Sequence, residues 1–469
     1  MLRAHSMTRR RFFLALVALA SLIPIVAYGQ AARLHPHRIA VFGSSVANGS
    51  GDELARDGYT GLLRAMMAGK GWEVLNQSRG GDNTRSIVPR FSPQGAVDPR
   101  VRYLMTVNPT YVVIGLSFGN EGLYEAADAK GKEAVYEQYL KGMRELVDRA
   151  RQNNVVPIVA LAYPRQSHTA EDTRFVRRAN VVQSTWDVPT VNFLGAVDDG
   201  AGRWALGFDD KHPQASGHRE MFYAFVPTLF EALDKGKPAP ARPADANGFA
   251  RITAGVAPLT FEPPDTMHPF SIGVTVRASD EGTVAAIRGT TLLARSELIQ
   301  GPARSFQAMT LHPDRAFTSS LGIQNGKWIY RSASGAIVDS GIRTDGQWHD
   351  VVLSHFTARG ETLLYIDGKL GGRIAERLEP RSFVIGGPGG AGIPAAPRQA
   401  DYRDLLIYRA GLNEDEAAAL HQGQLLHASL EIYSPLDEGE FKAGSIVANR
   451  AQSLTALKVG SDRVTRGTN

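Results

Sequence analysis

The Pro-rich stretch Gly236-Lys-Pro-Ala-Pro-Ala-Arg-Pro243 divides the 469-residue chain into two parts with different hydrophobic periods, and this change constrains the fold more than any other feature. Proline locks φ and removes a backbone donor, so residues 236–249 read as an extended linker. Before it, short apolar strands alternate with longer amphipathic segments. After it, helical periods nearly vanish until about residue 413. A chain of 469 residues favours two domains, and 43% hydrophobic with 21% charged residues is the composition of a soluble globular protein.

In the first part, Arg38–Gly43 and Glu73–Asn76 read as strands. Tyr111–Leu116 and Val155–Ala162 read as central strands buried on both faces, and Thr190–Phe193 as a last short one. Gly58–Ala68, Lys132–Gln152, Asp172–Gln183 and Gly217–Leu233 carry helical spacing, the last as one helix. Strands separated by helices predict a parallel, three-layer α/β fold over residues 37–235. In the second part, short strands follow one another, among them Thr283–Ile287, Phe306–Leu311, Phe317–Ile323, Trp328–Ser332 and Trp348–His355. They are punctuated by Asn325-Gly326, Asp345-Gly346 and Asp367-Gly368, which are hairpin signals. The expectation for residues 250–469 is an all-β sandwich with one short helix at Asn413–Gln422, opened by an Asn cap and an acidic first turn.

The N-terminus lies outside this scheme. Thr8-Arg-Arg-Arg-Phe-Phe13 precedes an apolar run to about Tyr28, and small residues follow at Gly29 and Ala31. Residues 1–31 read as a cleaved export signal, of the general or the twin-arginine kind, and place the mature protein in the periplasm or outside the cell, with no membrane attachment after cleavage. Residues 1–29 hold four arginines and no acid, so without them the formal net charge falls from +5 to +1. Nothing then argues for a nucleic-acid partner. The chain has no Cys, which excludes disulfides, thiolate metal sites and a Cys nucleophile.

Four stretches of the first part can carry chemistry. Gly43-Ser44-Ser45 ends the first strand, where parallel sheets keep their sites. Asn76-Gln-Ser-Arg-Gly-Gly-Asp82 is a Gly-rich turn able to present unpaired N–H groups. Ser117-Phe-Gly-Asn-Glu121 sets an amide, Asn120, at another strand end. Asp209-Asp-Lys-His-Pro213 places His212 at a helix entrance, with Pro213 suited to that helix's first turn and Asp209 three residues before the His. A serine needs an imidazole to take its proton, the imidazole needs a carboxylate, and the oxyanion needs preset donors. Asp210 is the alternative acid. His218 reads as helix surface, and Asp82, Asn83 and Arg85 as residues that could line the cleft.

In this order the four stretches resemble the blocks of the SGNH (GDSL-type) hydrolase superfamily, over roughly residues 38–235. The resemblance implies a flavodoxin-like α/β fold, Ser45 as nucleophile, Asp209 and His212 as its catalytic partners, and an oxyanion hole formed by Ser45, Gly81 and Asn120. It implies no metal and no cofactor. Two departures stand out: the family's Gly-Asp-Ser is Gly43-Ser44-Ser45 here, and the Gly and Asp flanking the block-three Asn are Phe118 and Glu121.

In the second part, Gln347-Trp-His-Asp-Val-Val-Leu, Leu364-Tyr-Ile-Asp-Gly-Lys369 and Tyr402-Arg-Asp-Leu-Leu-Ile-Tyr-Arg-Ala resemble the laminin-G/concanavalin A-like, jelly-roll-type sandwich. That resemblance implies possible glycan binding, with Trp328 and Trp348 as candidates to stack on sugar rings, and admits calcium, although no tight Asp/Asn cluster stands out in the sequence. Taken together, the expectation is an exported serine esterase cleaving acyl esters, above all O-acetyl groups, on a small-molecule or polysaccharide substrate. Lipid esterase, lysophospholipase or thioesterase activity is the alternative within that chemistry. A non-catalytic glycan-binding protein with a degenerate hydrolase fold is the alternative outside it.

Overall fold

A computed structural model of the chain describes residues 37–92, 102–209, 211–243, 248–253, 258–388 and 393–468. The export segment, Asp210 and residues 244–247 of the linker lie outside the described residues.

The first part is a parallel five-stranded sheet between helices. Its strands are β1 (Arg38–Gly43), β2 (Glu73–Asn76), β3 (Tyr111–Gly115), β4 (Val156–Ala160) and β5 (Thr190–Val191), in spatial order β2-β1-β3-β4-β5. Side chains alternate across each strand, so the sheet feeds two cores. Ala40, Phe42, Val112, Ile114 and Val159 pack with Tyr139, Met143 and Leu146 of the long helix Ala129–Gln152. Ile39, Val41, Val113 and Ile158 face the other way, against Tyr59 and Leu63 of the helix Gly58–Ala68 and Met221 of the helix Ala215–Tyr223. This is the three-layer α/β arrangement that the period change implied. The helical spacing of residues 217–233 predicts one helix. The structure has two, Ala215–Tyr223 and Leu229–Asp234. Pro227 explains the break, because a proline inside a helix removes a donor and clashes with the preceding turn.

Among the described residues the second part is two eight-stranded antiparallel sheets. One runs, edge to edge, through Ile337–Arg343, Lys327–Arg331, Ser305–Gln324, Gly282–Gln300, Leu378–Ile385, Leu259–Phe261, Leu457–Val459 and Ile446–Val447. The other centres on Trp348–Phe356, Phe270–Arg277 and Gln399–Tyr408. Their inner faces share one core that includes Phe261, Ile272, Trp328, Leu353, Phe383 and Ile407. Two expectations are corrected here. The strands read as Phe306–Leu311 and Phe317–Ile323 are one 20-residue strand, Ser305–Gln324, because the ladder absorbs Pro313 with a register shift between Pro313 and Ala316. Its partner is likewise not the short Thr283–Ile287 but the 19-residue Gly282–Gln300. The short helix Glu414–His421 is opened by Asn413 in a capping box with Glu416.

The two parts are joined by more than the linker. Asn192 Nδ2 donates to Glu416 Oε1 at 2.6 Å, and the Ser429 N–H donates to the Thr190 carbonyl at 2.9 Å. The Lys237 ammonium donates to the carbonyls of Asn449, Ala451 and Ser453. No helix of the described residues is long and apolar enough to cross a membrane.

Candidate active site

The C-terminal ends of β1 and β3 build the site. At Gly43 and Gly115 the two strands approach so closely that a Cβ on Gly43 would stand 2.3 Å from the Gly115 carbonyl oxygen. The chain then turns tightly. The N–H groups of Asn48 and Ser50 donate to the carbonyls of Ser44 and Ser45, at 3.0 and 2.9 Å. That turn separates two adjacent serines. Ser44 is buried, and Ser45 is partly open to solvent.

Ser45 Oγ lies 2.9 Å from His212 Nε2. His212 Nδ1 lies 3.3 and 3.4 Å from the two carboxylate oxygens of Asp209. The same carboxylate accepts the N–H groups of Lys211 and His212, both at 2.8 Å. Partial burial opposes its ionisation, but those two N–H groups and the His212 imidazole outweigh it and hold the Asp209 carboxyl below the usual range. Three of the sequence-selected residues are thus side by side in the order Ser45–His212–Asp209. Pro213 is not in the first turn of the following helix. It stands two residues ahead of Ala215 and forms an isolated bridge with Phe208. The helix N-terminus is served instead by Glu53, whose Oε2 accepts the Ala215 N–H at 2.9 Å.

The Gly-rich turn lies against the serine: a Cβ on Gly80 would stand 3.8 Å from Ser45 Cβ. Gly81 has φ 85°, the left-handed region that glycine adopts without strain. Among the described residues, neither the Ser45 N–H nor the Gly81 N–H donates to another protein atom. Asn120 is held by two bonds: its Nδ2 donates to the Asp82 carbonyl at 3.1 Å, and its own carbonyl accepts from Asn83 Nδ2 at 3.0 Å. One N–H of its amide is therefore left for another acceptor. Arg165 Nη1 also donates to the Gly119 carbonyl at 2.7 Å, bracing that loop from β4.

Several neighbours behave differently from the sequence reading. Asp82 does not line the cleft. It is buried, ion-paired to Arg90 at 2.7 Å and to Arg79 at 3.0 Å. Asn83 caps the short helix Thr84–Ile87 as well as holding Asn120, while Arg85 is exposed. His218 is not on the helix surface. It is fully buried, with Nδ1 accepting the Tyr59 N–H and Nε2 3.0 Å from the Ser50 carbonyl. Burial pushes its pKa down to about 4. The helix face that carries it turns toward Tyr59 and the loop after Ser45, a placement no single-helix period reveals.

The two departures from the family pattern have visible partners. Ser44 Oγ lies 3.0 Å from the Tyr163 hydroxyl, which also bonds Ser117. Tyr163 is buried, and burial raises its pKa. The Tyr163 hydroxyl thereby links the nucleophile turn to the strand end that leads to Asn120. Glu121 accepts from both the N–H and the hydroxyl of Thr84, tying the Asn120 loop to the Gly-rich turn. Tyr163 and Arg165 escaped the sequence reading because a lone Tyr or Arg just past a strand carries no pattern.

In the sandwich, Trp328 is fully buried in the core, and the guanidinium groups of Arg277 and Arg403 lie over the Trp348 ring. Trp328 therefore offers no face for a sugar. Among the described residues, Asp350, Asp367 and His421 bring three possible metal-ligand atoms within 4.8 Å of one another. The sequence hid this group because its members lie on separate elements. Its atoms are already engaged with each other and with neighbours: His421 Nδ1 is 2.8 Å from Asp350 Oδ2, and Asp367 Oδ2 is 2.8 Å from His349 Nδ1.

The family model described as GDSL-like Lipase/Acylhydrolase family matches residues 41–220, and this part of the chain is a GDSL-like lipase/acylhydrolase domain. A search of curated proteins found no match. The structure is similar to the crystal structure of TesA, with 21% identity over 41% of this chain and 97% of that one and a TM-score of 0.32. It is also similar to a catalytic mutant of an acetylxylan esterase from Geobacillus stearothermophilus, with 14% identity over 41% of this chain and 93% of that one and a TM-score of 0.30. A SAP-like pentraxin from Limulus polyphemus is similar at 13% identity over 48% of this chain and 98% of that one, with a TM-score of 0.30.

Proposed function

We propose that the protein is an exported serine esterase that removes acyl groups, above all O-acetyl groups, from a carbohydrate. The observation that carries this reading is the 2.9 Å approach of His212 Nε2 to Ser45 Oγ within a GDSL-like acylhydrolase domain. In the scheme, His212 takes the Ser45 proton as Oγ attacks the ester carbonyl. The Asp209 carboxylate orients the ring and offsets the imidazolium charge. The N–H groups of Ser45 and Gly81 and the Asn120 amide receive the oxyanion, each such donor supporting the transition state by about 3–4 kcal/mol. The C–O bond to the alcohol breaks, with His212 returning the proton to the leaving oxygen. Water, deprotonated by the same imidazole, then releases the acid and frees Ser45. The carbohydrate preference and the periplasmic or secreted location rest on the N-terminal segment and on the sandwich's resemblance to glycan-binding folds.

The experiment is acetate release from a panel of acetylated glycans, with p-nitrophenyl acetate, a lysophospholipid and an acyl thioester alongside, in wild type, Ser45→Ala and Ser44→Ala. We expect turnover that Ser45→Ala abolishes and that is fastest on a glycan. Faster turnover of the lipid or the thioester would redirect the substrate assignment. Equal turnover in wild type and Ser45→Ala would remove Ser45 as the nucleophile, and no turnover of any substrate by wild type would leave a non-catalytic binding protein.

A further inference from the structure

The sandwich sends one feature across to the candidate site. Strands Gly282–Gln300 and Ser305–Gln324 pair with each other out to Ser305↔Gln300, but their neighbours cover only the root. Leu378–Ile385 stops pairing at Leu378↔Thr291, and Lys327–Arg331 at Ser320↔Arg331. From Leu292 outward the hairpin is a two-stranded ribbon, about 30 Å long at about 3.4 Å per residue. Such a ribbon is marginal alone in water, so it needs support. One of its strands, Ser305–Gln324, has contacts with the helix Ala215–Tyr223. Its turn, where the Gly301 N–H donates to the Arg304 carbonyl, reaches the loop that follows the candidate nucleophile. A Cβ on Gly301 would stand 2.8 Å from the Glu53 carbonyl oxygen. Two residues before Glu53, Gly51 lies against His212 and Pro213. The tip of the ribbon is therefore one loop away from the imidazole.

The ribbon and its root are cationic. From Leu292 to Pro313 the ribbon carries Arg295 and Arg304 against Glu297, and Arg288 and Arg315 stand at its root beside Asp314. Arg288, Arg295, Arg304 and Arg315 are all exposed. The acids are occupied: Glu297 pairs with His312 at 2.9 Å, and Asp314 accepts from Thr291. Among the described residues, Arg304 and Arg315 have no carboxylate partner. Lys211, beside His212, and Arg85, near the Asn120 loop, are exposed as well. The exposed leucines of the ribbon, Leu293 and Leu298, are an odd number of residues apart and point to opposite faces; Leu298 shares its face with Ala294, Met309 and Leu311, and Arg295 stands on the other.

We propose that the ribbon is a wall of the substrate cleft and that it holds an acidic polysaccharide, an acylated glycan bearing carboxylate or phosphate groups, away from the reacting ester. The proposal rests on the esterase reading above. Guanidinium groups match carboxylates and phosphates in geometry. Each exposed pair contributes little, so the hold comes from several arginines engaging a repeating polyanion, and salt screens it.

The test compares p-nitrophenyl acetate with three acetylated polymers: one with uronate residues, one with phosphodiester links, and one neutral. It uses the full chain, the triple variant Arg295→Gln/Arg304→Gln/Arg315→Gln, and a shortened variant in which Asn-Gly replaces residues 293–312 between the paired Leu292 and Pro313. We expect both variants to keep p-nitrophenyl acetate turnover within about twofold while kcat/KM on an anionic polymer falls about tenfold, mainly through KM. Sodium chloride at about 0.5 M should bring wild type down to the triple variant. The polymer that loses most identifies the anion as carboxylate or phosphate. A wild type that prefers the neutral polymer, equal losses on every substrate, or no loss in either variant would overturn the ribbon's role and leave the Ser45 chemistry standing. A wild type that turns over none of the substrates and does not react with a fluorophosphonate would overturn the esterase reading and this inference with it.

Discussion

Two of the histidines that meet carboxylates in this molecule do so at nearly the same distance and in opposite surroundings. In the cleft, His212 lies 3.3 Å from Asp209, with side chains 22% and 57% exposed. Between the two parts of the chain, His268 lies 3.4 Å from Glu220 of the hydrolase domain and 3.4 Å from Glu379 of the sandwich, all of them nearly buried. At the second site burial disfavours the imidazolium, but the paired carboxylates outweigh it and raise the His268 pKa to about 9. Water is what separates the two. A pair open to solvent can gain and lose a proton every cycle at small solvation cost. A pair sealed between two domains holds its charge and acts as a staple. A short histidine–carboxylate distance is therefore not evidence of catalysis until its exposure is known.

Substitution can break either pair. The largest expected effect is in the cleft: His212→Ala should lower kcat on p-nitrophenyl acetate by about 10⁴-fold or more, with Tm nearly unchanged. Asp209→Asn should cost less, about 10²- to 10⁴-fold, because water partly solvates the imidazolium beside so exposed a carboxylate. A loss under about threefold would show that another group orients the ring. At the interface the signs reverse. His268→Gln leaves the buried Glu220 without its cation, while Glu379 keeps Arg381, and should cost about 3 kcal/mol of stability, measured by denaturant unfolding, with kcat on the small ester preserved in the folded protein.

That stabilisation has a defined pH window. His268 has a raised folded pKa, so its contribution is fully present below about pH 6.5 and is lost as pH rises through about 9. The hydrogen bond from His268, then its charge, hold the Glu379 carboxyl below the usual range despite partial burial, so that contribution fades as pH falls below about 4.5. Unfolding midpoints of wild type and His268→Gln should converge toward pH 9. A constant gap from pH 6 to 9, about the span over which the imidazolium discharges, would remove the staple. The smallest effect concerns Ser44. Tyr163→Phe deletes the hydroxyl that joins the nucleophile turn to Ser117, and should lower kcat about five- to tenfold with KM unchanged, as the loss of one hydrogen bond that positions the oxyanion donors. A change confined to Tm would make Tyr163 merely structural.

The fold was legible where local period and tertiary burial agree. The helix Gly58–Ala68 and the strand Arg38–Gly43 stand where their spacing put them, because the sheet buries them on the faces their apolar residues mark. The long ribbon was not legible. Gly301 and Pro313 look like two breaks, and only pairing over 20 residues shows that the first is the turn and the second a bulge. The candidate site was legible as separated pieces, since Gly43-Ser44-Ser45, Gly81, Asn120 and Asp209-x-x-His212 each follow a strand or precede a helix. Its supports were not. Tyr163, Arg165 and Glu53 act through contacts between elements distant in sequence, and His268 and Glu220 share an interface that no periodicity reports.

The choice between the adjacent serines is the point on which the catalytic reading turns. Ser45 faces His212, and Ser44 faces Tyr163. Intact-mass and peptide mapping after treatment with a fluorophosphonate decides between them. One adduct on Ser45 in wild type and in Ser44→Ala, and none in Ser45→Ala or His212→Ala, is the expected result. An adduct on Ser44, or labelling that survives Ser45→Ala, would contradict it.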